Sequence, residues 1–256
     1  MGTATRKRTR KRNRRQRGGQ ALKVAVLFAG RIKGYTNVLE NLLKIKHNYK
    51  PTFFCSLNKK LKSKYISNFC DTFGITDEQL KLEPISKAPD YFYTVKPQFY
   101  DIESSRELIT KYYSLLYHTQ QAFRLAEAYQ TKHSMKFDCI LYYRADIEAT
   151  EPLVLRFPKE NTIYIPTYEG DPHEHADKGG IACGIYYGGY DVMKKMCNLL
   201  EKVKDITEKD GVPFGVPETS FKKLIDNEKM AIERFQYKFG FHISRTEPNA
   251  EYNSVE

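Results

Sequence analysis

Apolar residues in this chain gather in short runs, and stretches of helical spacing follow them. Residues 23 to 29, Lys-Val-Ala-Val-Leu-Phe-Ala, form a near-continuous apolar run of the kind a central parallel strand needs. Gly30-Arg31-Ile32-Lys33-Gly34 comes next, and then Val38, Leu42, Leu43 and Ile45 at roughly helical spacing. Residues 51 to 57 predict a second strand with Asn58 at its end, and residues 59 to 73 a helix. Residues 81 to 101, punctuated by Pro84, Pro89 and Pro97, read as irregular. A long helix is predicted from about Ser104 to Gln130. Its apolar stripe is Leu108, Tyr112, Leu115, Leu116, Phe123, Ala126 and Tyr129, with Ser104 or Ser105 as the cap.

Residues 137 to 148, Phe-Asp-Cys-Ile-Leu-Tyr-Tyr-Arg-Ala-Asp-Ile-Glu, read as a buried strand that ends in charge. A short strand follows at 162 to 166, then a polar loop at 168 to 180, and strand character returns from Ile181 to Tyr187. Helices are predicted from Tyr190 to Ile206 and from Glu218 to about Asn227, with a late strand from Arg234 to Phe241. Strands alternating with helices argue for a mainly parallel sheet with helices on both faces. The division is a basic tail over 1–21, an α/β domain over 22–245 and a loose C-terminal tail over 246–256.

Candidate chemistry lies first at the end of the 137–148 strand, because ligands of open α/β sheets bind beyond the carboxyl ends of the strands. Arg144, Asp146 and Glu148 crowd there. Buried charge costs desolvation unless it meets a partner. Asp146 would hold a cation and Arg144 a carboxylate or phosphate oxygen. The same pattern also describes a strand that simply runs out into water, and the local residues leave both readings open. The glycine turn after the first strand offers free N–H groups beside Arg31 and Lys33, which suits a phosphate cradle or an ordinary tight connection.

The net charge of +11 is unevenly placed. Nine of those charges sit within residues 1–20, with no acid among them, so the rest of the chain carries only +2. Such a tail cannot bury apolar surface and is expected to be disordered. It suits an anionic partner for residues 6–17 and reads as an address or tether rather than a reader of base sequence, since no aromatic residue interleaves the charges. No apolar run approaches the roughly 20 residues of a bilayer span, and no apolar segment of signal-peptide length follows the basic start. Five cysteines, an odd number without a CxxC pair, read as reduced thiols. A soluble, intracellular, cytoplasmic protein is expected, which the tail could direct to the nucleus or an anionic surface.

Five segments, in order, carry a resemblance: Val-Ala-Val-Leu-Phe-Ala-Gly-Arg-Ile-Lys-Gly-Tyr (24–35), Tyr-Ser-Leu-Leu-Tyr-His-Thr-Gln-Gln-Ala-Phe-Arg-Leu-Ala-Glu-Ala-Tyr (113–129), Phe-Asp-Cys-Ile-Leu-Tyr-Tyr-Arg-Ala-Asp-Ile (137–147), Ala-Asp-Lys-Gly-Gly-Ile-Ala-Cys-Gly-Ile-Tyr-Tyr-Gly-Gly-Tyr-Asp-Val-Met (176–193) and Val-Pro-Glu-Thr-Ser-Phe-Lys-Lys-Leu (216–224). Together they resemble a family of GT-A-type glycosyltransferases that includes enzymes encoded by large DNA viruses of algae. The resemblance covers about residues 22 to 245. It implies a single domain with a mixed, mainly parallel, Rossmann-like sheet, a nucleotide-sugar donor, a glycan or protein acceptor and a divalent cation, Mn²⁺ or Mg²⁺.

Where such enzymes typically carry Asp-x-Asp, this chain has Arg144-Ala145-Asp146. The remaining carboxylate would hold the metal, or Arg144 would take over part of the charge neutralisation. In that scheme Ala29, Gly30 and Arg31 hold the nucleotide, and Tyr113, Tyr117 and Gln121, four apart on one helix face, touch the base or ribose. Asp177 and then Glu218 are the catalytic candidates on the sugar or acceptor side. His173 and His175 are further loop candidates for the metal, and residues 168 to 180 for a lid. Two other readings stand beside this one. The first is a non-enzymatic, basic-tailed nucleic-acid- or virion-associated α/β protein, and the second is a nucleotidyltransferase.

Overall fold

A computed structural model describes residues 21–30, 32, 35–59, 61, 63–84, 88–94, 102–145, 147–149, 151–167, 184–211, 217–237 and 239–241. The strands are β1 (Val24–Gly30), β2 (Thr52–Asn58), β3 (Leu80–Glu83), β4 (Cys139–Tyr143), β5 (Ile147–Ala149), β6 (Thr162–Thr167), β7 (Ile185–Gly188), β8 (Ala231–Gln236) and β9 (Phe239–Phe241). The helices are α1 (Leu39–Tyr49), α2 (Ser63–Phe73), α3 (Asp90–Thr94), α4 (Ile102–Lys132), α5 (Tyr190–Cys197), α6 (Leu199–Asp210) and α7 (Pro217–Asn227). One-turn 3₁₀ segments at Tyr35–Val38 and Asp77–Gln79 lead into α1 and β3.

Seven strands form one sheet in the order β3-β2-β1-β4-β7-β6-β8. β3, β2, β1 and β4 are mutually parallel, and β6 and β8 are parallel to each other. Only β7 runs antiparallel to its neighbours β4 and β6. The chain is therefore a single α/β domain with a mixed, mainly parallel sheet flanked by helices. β5 and β9 pair antiparallel as a separate small sheet. Among the described residues no helix is long and apolar enough to cross a membrane.

Both faces of the sheet are buried, which explains why β1 and β4 read as unbroken apolar runs rather than alternating ones. Ala25, Leu27, Phe54, Ile140, Tyr142 and Tyr186 face a core shared with α4 through α7. Val26, Phe28, Phe53, Leu141, Tyr143 and Tyr187 face the core under α1, α2 and the β5–β9 pair. Gly188 is needed where β7 meets α5 and β6. A Cβ there would stand 3.0 Å from a Val192 methyl and 3.3 Å from the Thr162 carbonyl oxygen.

Several elements depart from the sequence pattern. Residues 81 to 101 are not wholly irregular: β3 opens the stretch and α3 follows Pro89. The helix expected over 59–73 begins only at Ser63. The Lys59 N–H instead bonds the Glu83 carbonyl at 2.7 Å, which extends the β2–β3 contact past the strand. α4 starts at Ile102, so Ser104 and Ser105 lie inside the first turn and neither is the cap. The helix expected from Tyr190 to Ile206 is broken at Asn198, whose N–H bonds the Lys194 carbonyl at 3.1 Å while its carbonyl accepts from Glu201. The late strand is two strands, because β8 joins the main sheet and β9 leaves it for β5. The basic tail, Arg31, Lys33, Asp146, the 168–180 loop with His173, His175 and Asp177, Cys183 and the C-terminal tail lie outside the described residues. The four other cysteines are free thiols.

Candidate functional site

β1 has β2 on one side, leading to β3, and β4 on the other, leading to the rest of the sheet. Such a reversal of strand order opens a crevice beyond the carboxyl ends of the strands. The register fixes what lines it. Ala29 stands beside Ser56, Ser56 beside Lys81, and Asn58 beside Glu83. In-register residues of parallel strands share a face, so polar side chains from two strands gather on the α4 side of the sheet.

α4 meets them there. His118, Thr119, Gln120 and Gln121 are four consecutive polar residues, all buried. A helix this polar can be buried all round only if each group finds a bond. Gln120 Nε2 donates to Asn198 Oδ1 at 3.1 Å and to Glu201 Oε1 at 2.7 Å, which ties α4 to the α5–α6 junction. Thr119 donates back to the Leu115 carbonyl at 2.8 Å. Gln121 Oε1 accepts from Lys81 Nζ at 2.7 Å, and Lys81 also pairs with Glu83 Oε1 at 2.9 Å. Tyr117 donates its phenol hydrogen to Glu83 Oε2. His118 Nδ1 lies 2.8 Å from Ser56 Oγ.

His118 is completely buried, and its second ring nitrogen, Nε2, has no hydrogen-bond partner among the described residues. Burial pushes the imidazole pKa down to about 4, so the ring is neutral at pH 7, despite the opposing pull of Glu83. Its Cδ2, the carbon bonded to Nε2, lies 3.9 Å from where a Cβ on Gly30 would stand. The unsatisfied edge of the ring thus faces the end of β1. Gly30 is left-handed there, with φ of +77°.

The Tyr117 phenol is pushed up to about 12, first by burial and then by the Glu83 carboxylate that accepts its proton. Burial would raise Glu83, but hydrogen bonds from Tyr117 and Lys81 outweigh it and hold the carboxyl below its ordinary value. Tyr113 stacks near-parallel to Tyr117, with ring centroids 6.4 Å apart, and also packs against Phe92. The three helix residues chosen from the sequence are therefore brought together. Tyr117 is more than core filling, because its hydroxyl is committed to Glu83.

On the other flank, β4 ends at Tyr143, and the half-buried Arg144 follows. The Arg144 N–H donates to the Gly184 carbonyl at 3.0 Å, and its own carbonyl accepts from Ile147 at 3.3 Å, which turns the chain sharply into β5. β9 pairs with β5 at Ile147–Phe241, so the C-terminal chain returns beside the residues that follow this turn. Glu218 lies in the first turn of α7. That turn is carried over β7 by Phe221, whose ring is 5.4 Å from Tyr186, itself stacked at 4.7 Å on Tyr142 of β4. Ala29, Gly30, Tyr113, Tyr117 and Gln121 thus line the β1–β3 flank. Arg144 and Glu218 belong to the β4–β7 flank.

Ser56, Lys81, Glu83 and His118 escaped the sequence reading as site residues. Lys81 and Glu83 alternate with Leu80 and Leu82, a period of two over only four residues in a proline-marked stretch. His118 directly follows Tyr117, off the four-residue spacing used to choose the helix face. Among the described residues no three His, Cys, Asp or Glu side chains gather at metal-binding distance.

No family model and no curated protein matches the chain. Among solved structures it is similar to a glycosyltransferase involved in the glycosylation of the major capsid of PBCV-1. The identity is 9% and the TM-score 0.39, with 84% of this chain and 82% of that one covered. It is also similar to the glycosyltransferase GlyE of Streptococcus pneumoniae TIGR4, in its apo form, at 13% identity and a TM-score of 0.38. That likeness covers 84% of this chain but only 45% of GlyE, so the chain spans less than half of that protein. With TM-scores below 0.5, neither likeness decides the chemistry of this chain.

Proposed function

We propose that this protein is a glycosyltransferase that moves a sugar from a nucleotide-sugar donor to a glycan or protein acceptor. The observation that carries the reading is the polar cluster in which buried Ser56, His118 and Gln121 meet the partly exposed Lys81, Glu83 and Tyr117. It lies at the carboxyl ends of β2 and β3, beside the strand-order reversal and across from Arg144. The ordered sequence motifs support the same reading, since their described residues fall on β1, α4, β4, β7 and α7.

In this scheme the nucleotide lies over Ala29, Gly30 and Arg31, with the nucleoside toward α4. Arg144 pairs with the diphosphate or orients the sugar, as a guanidinium fork suits phosphate oxygens. Asp146 holds a divalent cation, Mn²⁺ or Mg²⁺, which when bound would neutralise charge on the leaving diphosphate. Asp177 and Glu218 act on the sugar or acceptor side, one of them as the base an inverting reaction requires. The basic residues 6–17 tether the enzyme to an anionic partner or surface.

The test is a thermal-shift panel of nucleoside diphosphates and their sugar conjugates, with and without Mn²⁺, followed by assay of donor hydrolysis. One sugar nucleotide should raise the melting temperature and be turned over with release of a nucleoside diphosphate. Release of pyrophosphate instead would assign a nucleotidyltransferase. Silence across the panel would remove the enzyme reading, and nucleic-acid binding lost on deleting residues 1–20 would then favour a binding module.

A further inference from the structure

Among the described residues, Nε2 of His118 has no hydrogen-bond partner, and a count of satisfied bonds favours one tautomer of the ring. A neutral imidazole carries one proton, so one nitrogen donates and the other accepts. If Nδ1 held the proton, both the Ser56 hydroxyl hydrogen and the Nε2 lone pair would be buried without partners among the described residues. If Ser56 donates to Nδ1, only the Nε2–H remains unmet. The second arrangement leaves fewer buried polar atoms unsatisfied and is the favoured one. Nε2 is therefore a buried donor on the ring edge whose Cδ2 lies beside the left-handed Gly30, at the carboxyl end of β1.

The surroundings select the partner of that donor. The ring is uncharged, Glu83 is ionised close by, and Lys81 is already neutralised by Glu83 and bonded to Gln121. Such a flank does not attract phosphate. It suits an uncharged acceptor atom, and the near-parallel rings of Tyr113 and Tyr117 add an aromatic wall. The cationic Arg144 lies on the opposite flank, where the diphosphate is better served.

We infer that His118, held by Ser56, is the residue that reads the nucleoside end of the donor by giving its Nε2–H to an acceptor atom of the base. This rests on the nucleotide-sugar reading of the crevice. Among the described residues nothing in the free protein meets that N–H, the pattern expected where a site sacrifices stability for function.

Calorimetric titration of the full chain with UDP, CDP, GDP, ADP and inorganic pyrophosphate tests it, in the wild type and in His118→Phe. One nucleoside diphosphate should bind the wild type more tightly than pyrophosphate. His118→Phe should weaken that nucleotide about tenfold, the worth of one hydrogen bond. It should also leave pyrophosphate affinity unchanged. A second measurement needs no substitution. In ¹⁵N spectra of the unaltered chain the His118 Nε2 should be the protonated nitrogen, and its resonance should move with that nucleotide and stay still with pyrophosphate. Equal nucleotide affinity in His118→Phe, or an Nε2 signal indifferent to the nucleotide, would overturn the role of His118 and leave the glycosyltransferase reading standing. If no nucleoside diphosphate binds the wild type, both fall together.

Discussion

Ser56 Oγ lies 2.8 Å from His118 Nδ1, and this buried bond ties the long helix α4 to strand β2 directly beneath the carboxyl ends of the sheet. It holds a neutral imidazole in a setting that resists protonation, and that has a consequence for stability. The folded pKa of about 4 lies below the ordinary value of 6.5. The unfolded chain therefore binds a proton first as pH falls, and stability is lost between pH 6.5 and 4. By pH 5 this group alone should cost the fold about 2 kcal/mol. Urea unfolding at pH 7.5 and pH 5 measures the loss, and His118→Phe should show a loss smaller by that amount. Identical pH slopes in the two proteins would mean that His118 is not held neutral.

Tyr117 and Glu83 form the second polar tie between α4 and the sheet edge. Tyr117→Phe deletes the donor and keeps the ring, so the cost should be about 1 kcal/mol. The Glu83 carboxyl, now held low by Tyr117 and Lys81, should titrate at higher pH once the phenol is gone. The sign for stability follows. A carboxyl held low stabilises the fold above its ordinary pKa and gives that stability up as pH falls, so the variant should lose less in acid. Carbon-detected NMR titration of Glu83 reads the shift, and an unmoved titration would show that Lys81 alone sets it.

Gly30 ends β1 at φ +77°, next to His118. A Cβ there meets nothing closer than 3.9 Å, so the penalty of a substitution lies in the backbone and not in a clash. Gly30→Ala should destabilise by roughly 1–2 kcal/mol, the cost of left-handed backbone with a Cβ. Gly30→Asn should cost less, because asparagine tolerates that region better. Thermal denaturation of the pair checks the order, and a larger loss for Asn would point to steric exclusion instead.

Under the proposed function Asp146 would hold a divalent cation. Asp146→Asn should lower donor turnover by at least about a hundredfold, the scale seen when one preorganised charge-stabilising group is removed. It should also abolish any response to Mn²⁺. Arg144→Ala should instead weaken donor binding whether or not Mn²⁺ is present. Full activity of Asp146→Asn with Mn²⁺ response intact would move the cation role to another residue.

Much of this architecture is written into the order of residues. The apolar runs at β1, β2 and β4 and the long stripe of α4 are local signals. A strand buried on both faces needs uninterrupted apolar residues, and an amphipathic helix needs its 3.6-residue repeat. The same locality explains the errors. β3 is four residues long and is held by pairing with β2, which no window of its own sequence reports. The break at Asn198 is a capping event inside a continuous apolar period. Whether a late strand joins the main sheet or the small one depends on which partner lies alongside.

The sequence on its own determined the alternation of strands and helices and the gathering of positive charge in residues 1–20, because each of these is a property of neighbouring residues. Tertiary structure alone decided that Ser56, Lys81 and Glu83, spread over two strands, meet about one turn of buried polar helix at His118 and Gln121. It also decided that the imidazole is neutral and, among the described residues, has no partner for Nε2. Those facts arise from parallel register and burial, which join residues 40 to 62 positions apart in the chain. No spacing rule along a single element can anticipate them.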